Sequence, residues 1–428
     1  MLALFRIPAF LHFWLAQVFS RLGDAIATTA IIFLIGSNSS DPIFISLVIF
    51  AELFATTAFG LFAGSIADRF PKHLVMIYMD IFRVLINIVI ILCISSPIAL
   101  IVLVFLKGIG TTVFYPARTS FIPDIVGDKH VNEAMSISQS TYFTVYIIGP
   151  AIAGFLLTTT SVPIIFIIDI LSYVLSIIFI LIANSFVVST AVLEPEEATK
   201  VTHEPIWASM IAGLKTVYNI PSLFFLLMIL IPFMFVAGIF DTTYTSILLQ
   251  VFRLPAIDYG QIQSIEGIGA VVGAIVGPFL LRKLNSSLLL VCTIIAFGIL
   301  MSCVTPLNYI HTSNLSPIYV WSLAIGSINA LINLPITSIF LKITPKPFRG
   351  RGISILQTLT TLGIVLGLLS GGIVARYFNL ITLTTFAGIA LIIFILIIAC
   401  TSKFKHLFQE SRPEPKLKSS SSQATKSL

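Results

Sequence analysis

The chain places ionisable side chains where an apolar sequence makes them expensive. Asp24 falls near the middle of one long apolar run and Lys107 near the middle of another. A charge at the centre of a bilayer persists only where it faces a partner or a water-filled cavity, so each is a functional candidate by default. A carboxylate in such a place can take up a proton when its surroundings are dry and release it when they are wet, and a facing ammonium competes with that proton. That is the chemistry of an ion-coupling site. Arg21, three residues before Asp24 on the same helix face, offers the alternative of a local ion pair that only fixes the helix. Asp80 and Arg83 share that spacing and read as a structural pair. Glu52, Asp169, Asp241 and Glu266 are expected nearer the outer half of their runs. Asp241 and Glu266 form a second protonatable site on one reading and wetted mouth residues on the other. The candidates for proton coupling or substrate contact are therefore Asp24, Lys107, Arg21, Asp241 and Glu266.

Other chemistries find no support. The six histidines (His12, His73, His130, His203, His311, His406) sit at the margins of apolar runs without metal-ligand spacing. Cys93, Cys292, Cys303 and Cys400 lie in or at the ends of such runs and read as small apolar residues. There is no G-x-x-x-x-G-K-[ST] loop for a nucleotide. An enzyme, a bound metal and a cofactor are not expected. Candidates to line a ligand cavity, which needs apolar walls with a few polar anchors, are Gln139, Tyr142 and Tyr146 with Phe143 on one run, and Asn329 with Asn333 on another.

The elements that must position these groups are membrane spans. Of 428 residues, 57% are hydrophobic and 10% charged, and the mean hydropathy is +1.06, far outside the range of soluble domains. Twelve apolar runs of about 20 residues, the length that crosses a bilayer as a helix, follow one another between Phe13 and Thr401, the fourth ending near residue 117. The basic residues fall almost entirely in alternate gaps. Arg6, Arg69, Lys72, Arg118, Lys129, Lys200, Lys215, Arg282, Lys283, Lys342, Lys346, Arg349, Arg351 and the tail lysines share one side, while the other holds Arg253 and Arg376. The positive-inside rule makes the rich side, and both termini, cytoplasmic. A net charge of +6 is then what loops beside anionic lipid require, with no nucleic-acid partner. A cleaved signal peptide over residues 1–20 is disfavoured, because the apolar run there is broken by Arg6, Pro8 and His12 and continues past Asp24.

A polar interruption divides the spans six and six. The expected organisation is an N-terminal six-helix bundle at 1–188, a cytoplasmic middle loop at 189–221, a C-terminal bundle at 222–402 and a disordered basic tail at 403–428. Ser136-Ile-Ser-Gln139-Ser140 matches Ser354-Ile-Leu-Gln357-Thr358, and at the same offset Gly149-Pro150-Ala-Ile-Ala-Gly154 matches Gly367-Leu-Leu-Ser-Gly-Gly372. Six is even, so the halves share one orientation and form a parallel repeat with a site between them.

Between the second and third spans stands Gly64-Ser-Ile-Ala-Asp68-Arg69-Phe-Pro71-Lys72-His73. This resembles the G-x-x-x-D-R-x-[GP]-[RK]-[RK] loop of the major facilitator superfamily, with His73 departing from it. The resemblance implies an all-α integral membrane fold of twelve transmembrane helices in two six-helix bundles, acting as a monomer in a bacterial cytoplasmic or inner membrane. It also implies a conformational latch of Gly64, Asp68, Arg69, Lys72 and Arg351, in which the glycine admits a neighbouring helix and the aspartate meets the N-terminus of the eleventh. A merely solvated topogenic loop is the alternative. The second half has Leu281 in place of the acid, so one latch is expected. Gly149, Pro150 and Gly154 resemble the core of the packing motif that proton-coupled exporters carry in the fifth helix. Gln17 to Asp24, Tyr115 to Val126, Asn132 to Met135 and Ile148 to Gly154 together resemble the branch containing the enterobactin exporter and macrolide efflux proteins. That branch implies an exporter of a drug- or siderophore-like small molecule, driven by a proton gradient. Uptake of a nutrient, movement of a lysophospholipid, and a non-transporting receptor or assembly factor are the competing functions.

Overall fold

The computed structural model describes residues 2–190, 220–310, 314–344, 349–402 and 404. Each apolar run becomes a helix bounded by prolines or short polar caps. The first six are α1 (Pro8–Asn38), α2 (Pro42–Arg69), α3 (Lys72–Leu92), α4 (Pro97–Val126), α5 (Val131–Thr159) and α6 (Val162–Thr190). The second six are α7 (Pro221–Ser246), α8 (Ala256–Lys283), α9 (Ser286–Ile310, broken at Cys303), α10 (Ser316–Ile343), α11 (Arg349–Ala375) and α12 (Leu380–Ala399). Proline opens α1, α2, α4, α7 and α10, where its missing N–H would have had no partner anyway. Asp41, Asn285 and Asn379 accept the first free amides of α2, α9 and α12. Among the described residues all twelve are long and apolar enough to cross a membrane.

The halves pair their helices alike. In the first, α1 packs on α5 and α6, α2 on α4, and α3 on α4 and α6. In the second, α7 packs on α11 and α12, α8 on α10, and α9 on α10 and α12. Adding six to each number of the first set produces the second, so the parallel repeat is realised in three dimensions. Small residues set the closest pairs. Gly326 of α10 lies against the Glu266 carbonyl, and Gly269 of α8 against that of Leu323, with no room for a Cβ at either.

The connections collect on two faces, and those after α2, α4, α8 and α10 form the face carrying the basic loops. The halves meet toward the opposite face, through α5 on α8 and α2 on α11. A Cβ on Gly154 would stand 2.6 Å from the Ala256 carbonyl oxygen, and Gly260 lies against the Pro150 carbonyl. Gly372 packs on Ser46 and Ile43. Gln250 donates to the Ser39 carbonyl at 2.8 Å, and Arg376 pairs with Asp41 at 3.2 Å. Toward the basic face the halves part: nothing lies within 4 Å of a Cβ built on Gly60 or Gly64, and Asp68 and Arg69 are exposed.

Three expectations change. The fourth span does not end near residue 117: α4 continues to Val126 through Pro116 and Pro123, as prolines can inside membrane helices where neighbours and hydroxyls compensate the lost bonds. Arg118 is consequently a buried helix residue, not a loop charge. Gly64 admits no neighbouring helix in this conformation, because the halves are apart at its level. The middle loop between Thr190 and Ile220, the tail except Phe404, and the side chain of Arg351 lie outside the described residues.

The seal rests on backbone contact, so a side chain there should force the halves apart. Gly260→Leu is expected to lower the unfolding free energy by about 1–3 kcal/mol, the usual cost of overpacking. Gly60→Leu, at an open position, should leave it unchanged, as read by denaturant melts of the purified protein.

Candidate functional site

Gly23 begins the site. Without a side chain it lets α6 approach α1 so closely that a Cβ would collide with Ser172, and the next residue, Asp24, comes under Tyr173. The tyrosine hydroxyl donates to one carboxylate oxygen of Asp24. Lys107 of α4 reaches the same oxygen at 3.1 Å and Oδ2 of Asp169 at 2.6 Å. Arg83 of α3 donates to the other Asp24 oxygen at 3.3 Å and to Asp80 one turn away. Asn87 donates to Asp169 at 2.9 Å, and Ser176 to Asp80 at 2.7 Å. The Arg83 guanidinium lies over the rings of Tyr173 and Phe114, with its carbon 4.4 and 4.6 Å from their centroids. Three carboxylates and two cations thus form one network joining α1, α3, α4 and α6. Asp80 and Asp169 are fully buried, while 26% of the Asp24 side chain remains exposed, making Asp24 the member that meets the cavity.

That cavity, of about 860 Å³, lies between the halves. Asp24, Lys107, Arg21, Glu52 and Arg118 line it from the first half, and Asp241 and Glu266 from the second. Among the described residues neither Asp241 nor Glu266 has a cation partner. Gln139, Tyr142, Tyr146 and Asn329 also line it, Tyr142 and Tyr146 being stacked with centroids 6.3 Å apart. Asn333 does not: its amide turns back onto the Asn329 carbonyl at 3.0 Å.

Several residues stand elsewhere than their sequence suggested. Arg21 makes no pair with Asp24; its guanidinium lies over Tyr142, 5.1 Å from the centroid, because Lys107 and Arg83 already occupy the carboxylate. Asp80 and Arg83 do pair, but their pair is one arm of the larger network. Asp169, expected only to lie nearer the outer half of its span, is buried against Lys107 in the network. Asp68 has no ion pair or side-chain hydrogen bond among the described residues, and Lys72 turns instead to Asp124 at 2.8 Å. Gly149 packs on Ala25 of α1, whereas Pro150 and Gly154 touch α8 across the halves.

Asp169, Arg83, Tyr173 and Arg118 were missed as site residues. The signal for the first three was present as a polar stripe at helical spacing: Asp169, Ser172, Tyr173 and Ser176 on α6, and Asp80, Arg83 and Asn87 on α3. Arg118 was hidden by the prolines flanking it.

A family model described as transmembrane secretion effector matches residues 1–422. The MFS-type transporter YfiS of Bacillus subtilis (strain 168) is 24% identical over 367 residues, 85% of each chain. Macrolide efflux protein A of Streptococcus pyogenes is 26% identical over 41% of this chain and 44% of its own. The staphyloferrin A transporter of Staphylococcus aureus (strain NCTC 8325 / PS 47) is 24% identical over 40% of this chain and 44% of its own. Among solved structures, the POT family transporter PepTSo superposes with a TM-score of 0.70 at 13% identity, over 95% of this chain and 99% of that one. The nucleoside transporter NupG does so at 0.68 and 14%, over 94% and 99%. These likenesses carry the fold.

Removing the central ammonium should leave the buried Asp169 carboxylate without a cation and Asp24 with Arg83 alone. Lys107→Met is expected to cost about 3–5 kcal/mol of stability, the usual consequence of breaking a buried pair. Adding Asp169→Asn should recover much of that loss, because it removes the stranded charge, and a double-mutant cycle on unfolding free energies measures the coupling.

Proposed function

The chain belongs to the transmembrane secretion effector family of MFS-type transporters, and on that premise we propose that it is a secondary active exporter of a medium-sized organic molecule, driven by exchange for protons. The observation that carries the reading is the cavity: it lies between two repeat-related halves, is sealed toward one face, and is lined by ionisable groups from both. Its volume suits a drug-sized ligand, for which pockets run from about 300 to 1,000 Å³.

Orientation follows from charge. The face where the halves part carries the basic loops, so the positive-inside rule makes it cytoplasmic, together with both termini, in a cell membrane. The described conformation then faces inward, ready to load from the cytoplasm. Closing the parted face and opening the sealed one would release the cargo outside. The family's description as a secretion effector and the efflux role in the name of one relative support this direction.

For the exchanged proton, Asp241 and Glu266 are the best-placed candidates. A carboxylate without a cation partner gains or loses its proton as the cavity dries and wets, whereas Asp24 is held between Lys107 and Arg83. In this reading Asp24 and its network hold the first half rigid and present one charged edge to the cargo. Among the described residues Asp68 and Arg69 form no ion pair on the inward face, where they would meet the start of α11 once that face closes.

The test is efflux from cells lacking their own pumps, preloaded with a panel of siderophores, macrolides and fluorescent dyes. Efflux of at least one compound is expected to depend on the native chain and to stop with a protonophore. With Asp241→Asn and Glu266→Gln together it should fall to the background of empty cells, while exchange of labelled for unlabelled cargo persists. Uptake by the native chain, or efflux indifferent to the protonophore, would overturn the reading.

A further inference from the structure

Two cations of the cavity are used by neither the buried network nor the C-terminal carboxylates. Arg21 and Arg118 both line the cavity, and neither forms an ion pair among the described residues. Arg118 is only 4% exposed. One of its terminal nitrogens donates to the Gln17 amide oxygen at 2.9 Å, its guanidinium carbon lies 4.7 Å from the Tyr115 ring centroid, and its Nε is buried without any partner. Arg21 is half-buried over Tyr142. A guanidinium held at membrane depth without a counter-charge is costly, and here two share the wall built by the first half. The wall opposite, from α7 and α8, carries Asp241 and Glu266 and no lining cation. Among the described residues all four cations that line the cavity, Arg21, Arg83, Lys107 and Arg118, therefore stand on the first half, together with Asp24 and Glu52, whereas the acidic and basic side chains of the second half there are carboxylates alone.

Resting on the export reading, we propose that Arg21 and Arg118 form the anion-binding end of the substrate site, taking a carboxylate of the cargo while its apolar or aromatic body lies along Tyr115 and Tyr142. The planar guanidinium of Arg118, with an N–H unspent, suits a two-oxygen anion. Both arginines lie nearer the basic face than Asp24 and Lys107, so in the described conformation they meet cargo entering from that side. The cargo is accordingly an organic anion, with Asp241 and Glu266 left to the proton.

The probes are fluorescein, a xanthene dianion, and rhodamine 123, a cation of the same skeleton. Binding is read by fluorescence anisotropy on the full chain in phosphatidylcholine nanodiscs. Fluorescein should bind, be displaced by citrate, and lose about tenfold in affinity with Arg21→Gln or with Arg118→Gln, the cost of one charged hydrogen bond. Arg118→Lys should keep part of the binding, and rhodamine 123 should not respond to these changes. Arg21→Gln alters a half-buried side chain, so it reports even if Arg118→Gln fails to fold. Three results would overturn the proposal: no fluorescein binding, binding indifferent to both arginines, or displacement by phosphatidylglycerol but not by citrate, which would assign the pair to a lipid headgroup. The assay is at equilibrium and blind to direction. Arginine-dependent binding without efflux would sink the export reading alone, and arginine-independent binding with efflux would sink this one alone.

Discussion

The structure depends on one constraint, that charges buried at membrane depth must be paired. Lys107 satisfies it for two helices at once, bridging Asp24 of α1 and Asp169 of α6 from α4. Arg83 repeats the device from α3, between Asp24 and Asp80. In a low-dielectric interior such pairs do not compete with water, so they hold four helices in one register. With no hydrophobic effect to press helices together within lipid, polar bonds and close packing must supply the cohesion. Close packing serves both halves, as at Gly23 in the first, and the buried charge network is an addition that the described residues do not repeat in the second half. Its α8 and α10 approach until glycine meets carbonyl at Gly326 and Gly269.

The two halves are alike in topology and unlike in chemistry. The same helix pairs recur in each, yet among the described residues the buried network exists only in the first, and of the cavity carboxylates without a cation partner the second contributes two, Asp241 and Glu266, and the first one, Glu52. A first half braced by that network faces a second whose cavity carboxylates have no cation, an arrangement that suits the proposed exchange. Proton and cargo can then act on the same cavity through different walls, so that occupation of one alters the electrostatic cost of the other.

The seal between the halves is built to be broken. It consists of bare backbone at Pro150, Gly154 and Gly260 with a few edge bonds, Gln250 to Ser39 and Arg376 to Asp41. No buried ion pair spans it among the described residues. Of the described ion pairs, parting such a surface separates only the partly exposed Arg376–Asp41, whereas parting α4 from α1 and α6 would take Lys107 from both Asp24 and Asp169. Rocking of intact halves is therefore favoured over internal rearrangement of the first. At the other face Asp68 and Arg69 form no ion pair among the described residues and Gly64 has open space beside it, as in the open position of the proposed cycle.

The sequence by itself determined the membrane spans, their alternation and the repeat, because a bilayer imposes a length and an apolarity that any stretch of chain either meets or fails locally. It also marked the costly residues, Asp24, Lys107, Asp241 and Glu266, as exceptional. What it did not contain was partner choice. The spacing of Arg21 and Asp24 suggested a local pair, and only the assembly of α3 and α4, close at Gly110, decided that Lys107 and Arg83 would hold that carboxylate instead. Asp169 looked peripheral until α6 was laid on α1 at Gly23. Arg118 looked like a loop charge until α4 was seen to continue through its prolines. Ion pairing at depth is a contact between distant segments, set by how closely backbones pack, and that closeness is a property of the assembled bundle.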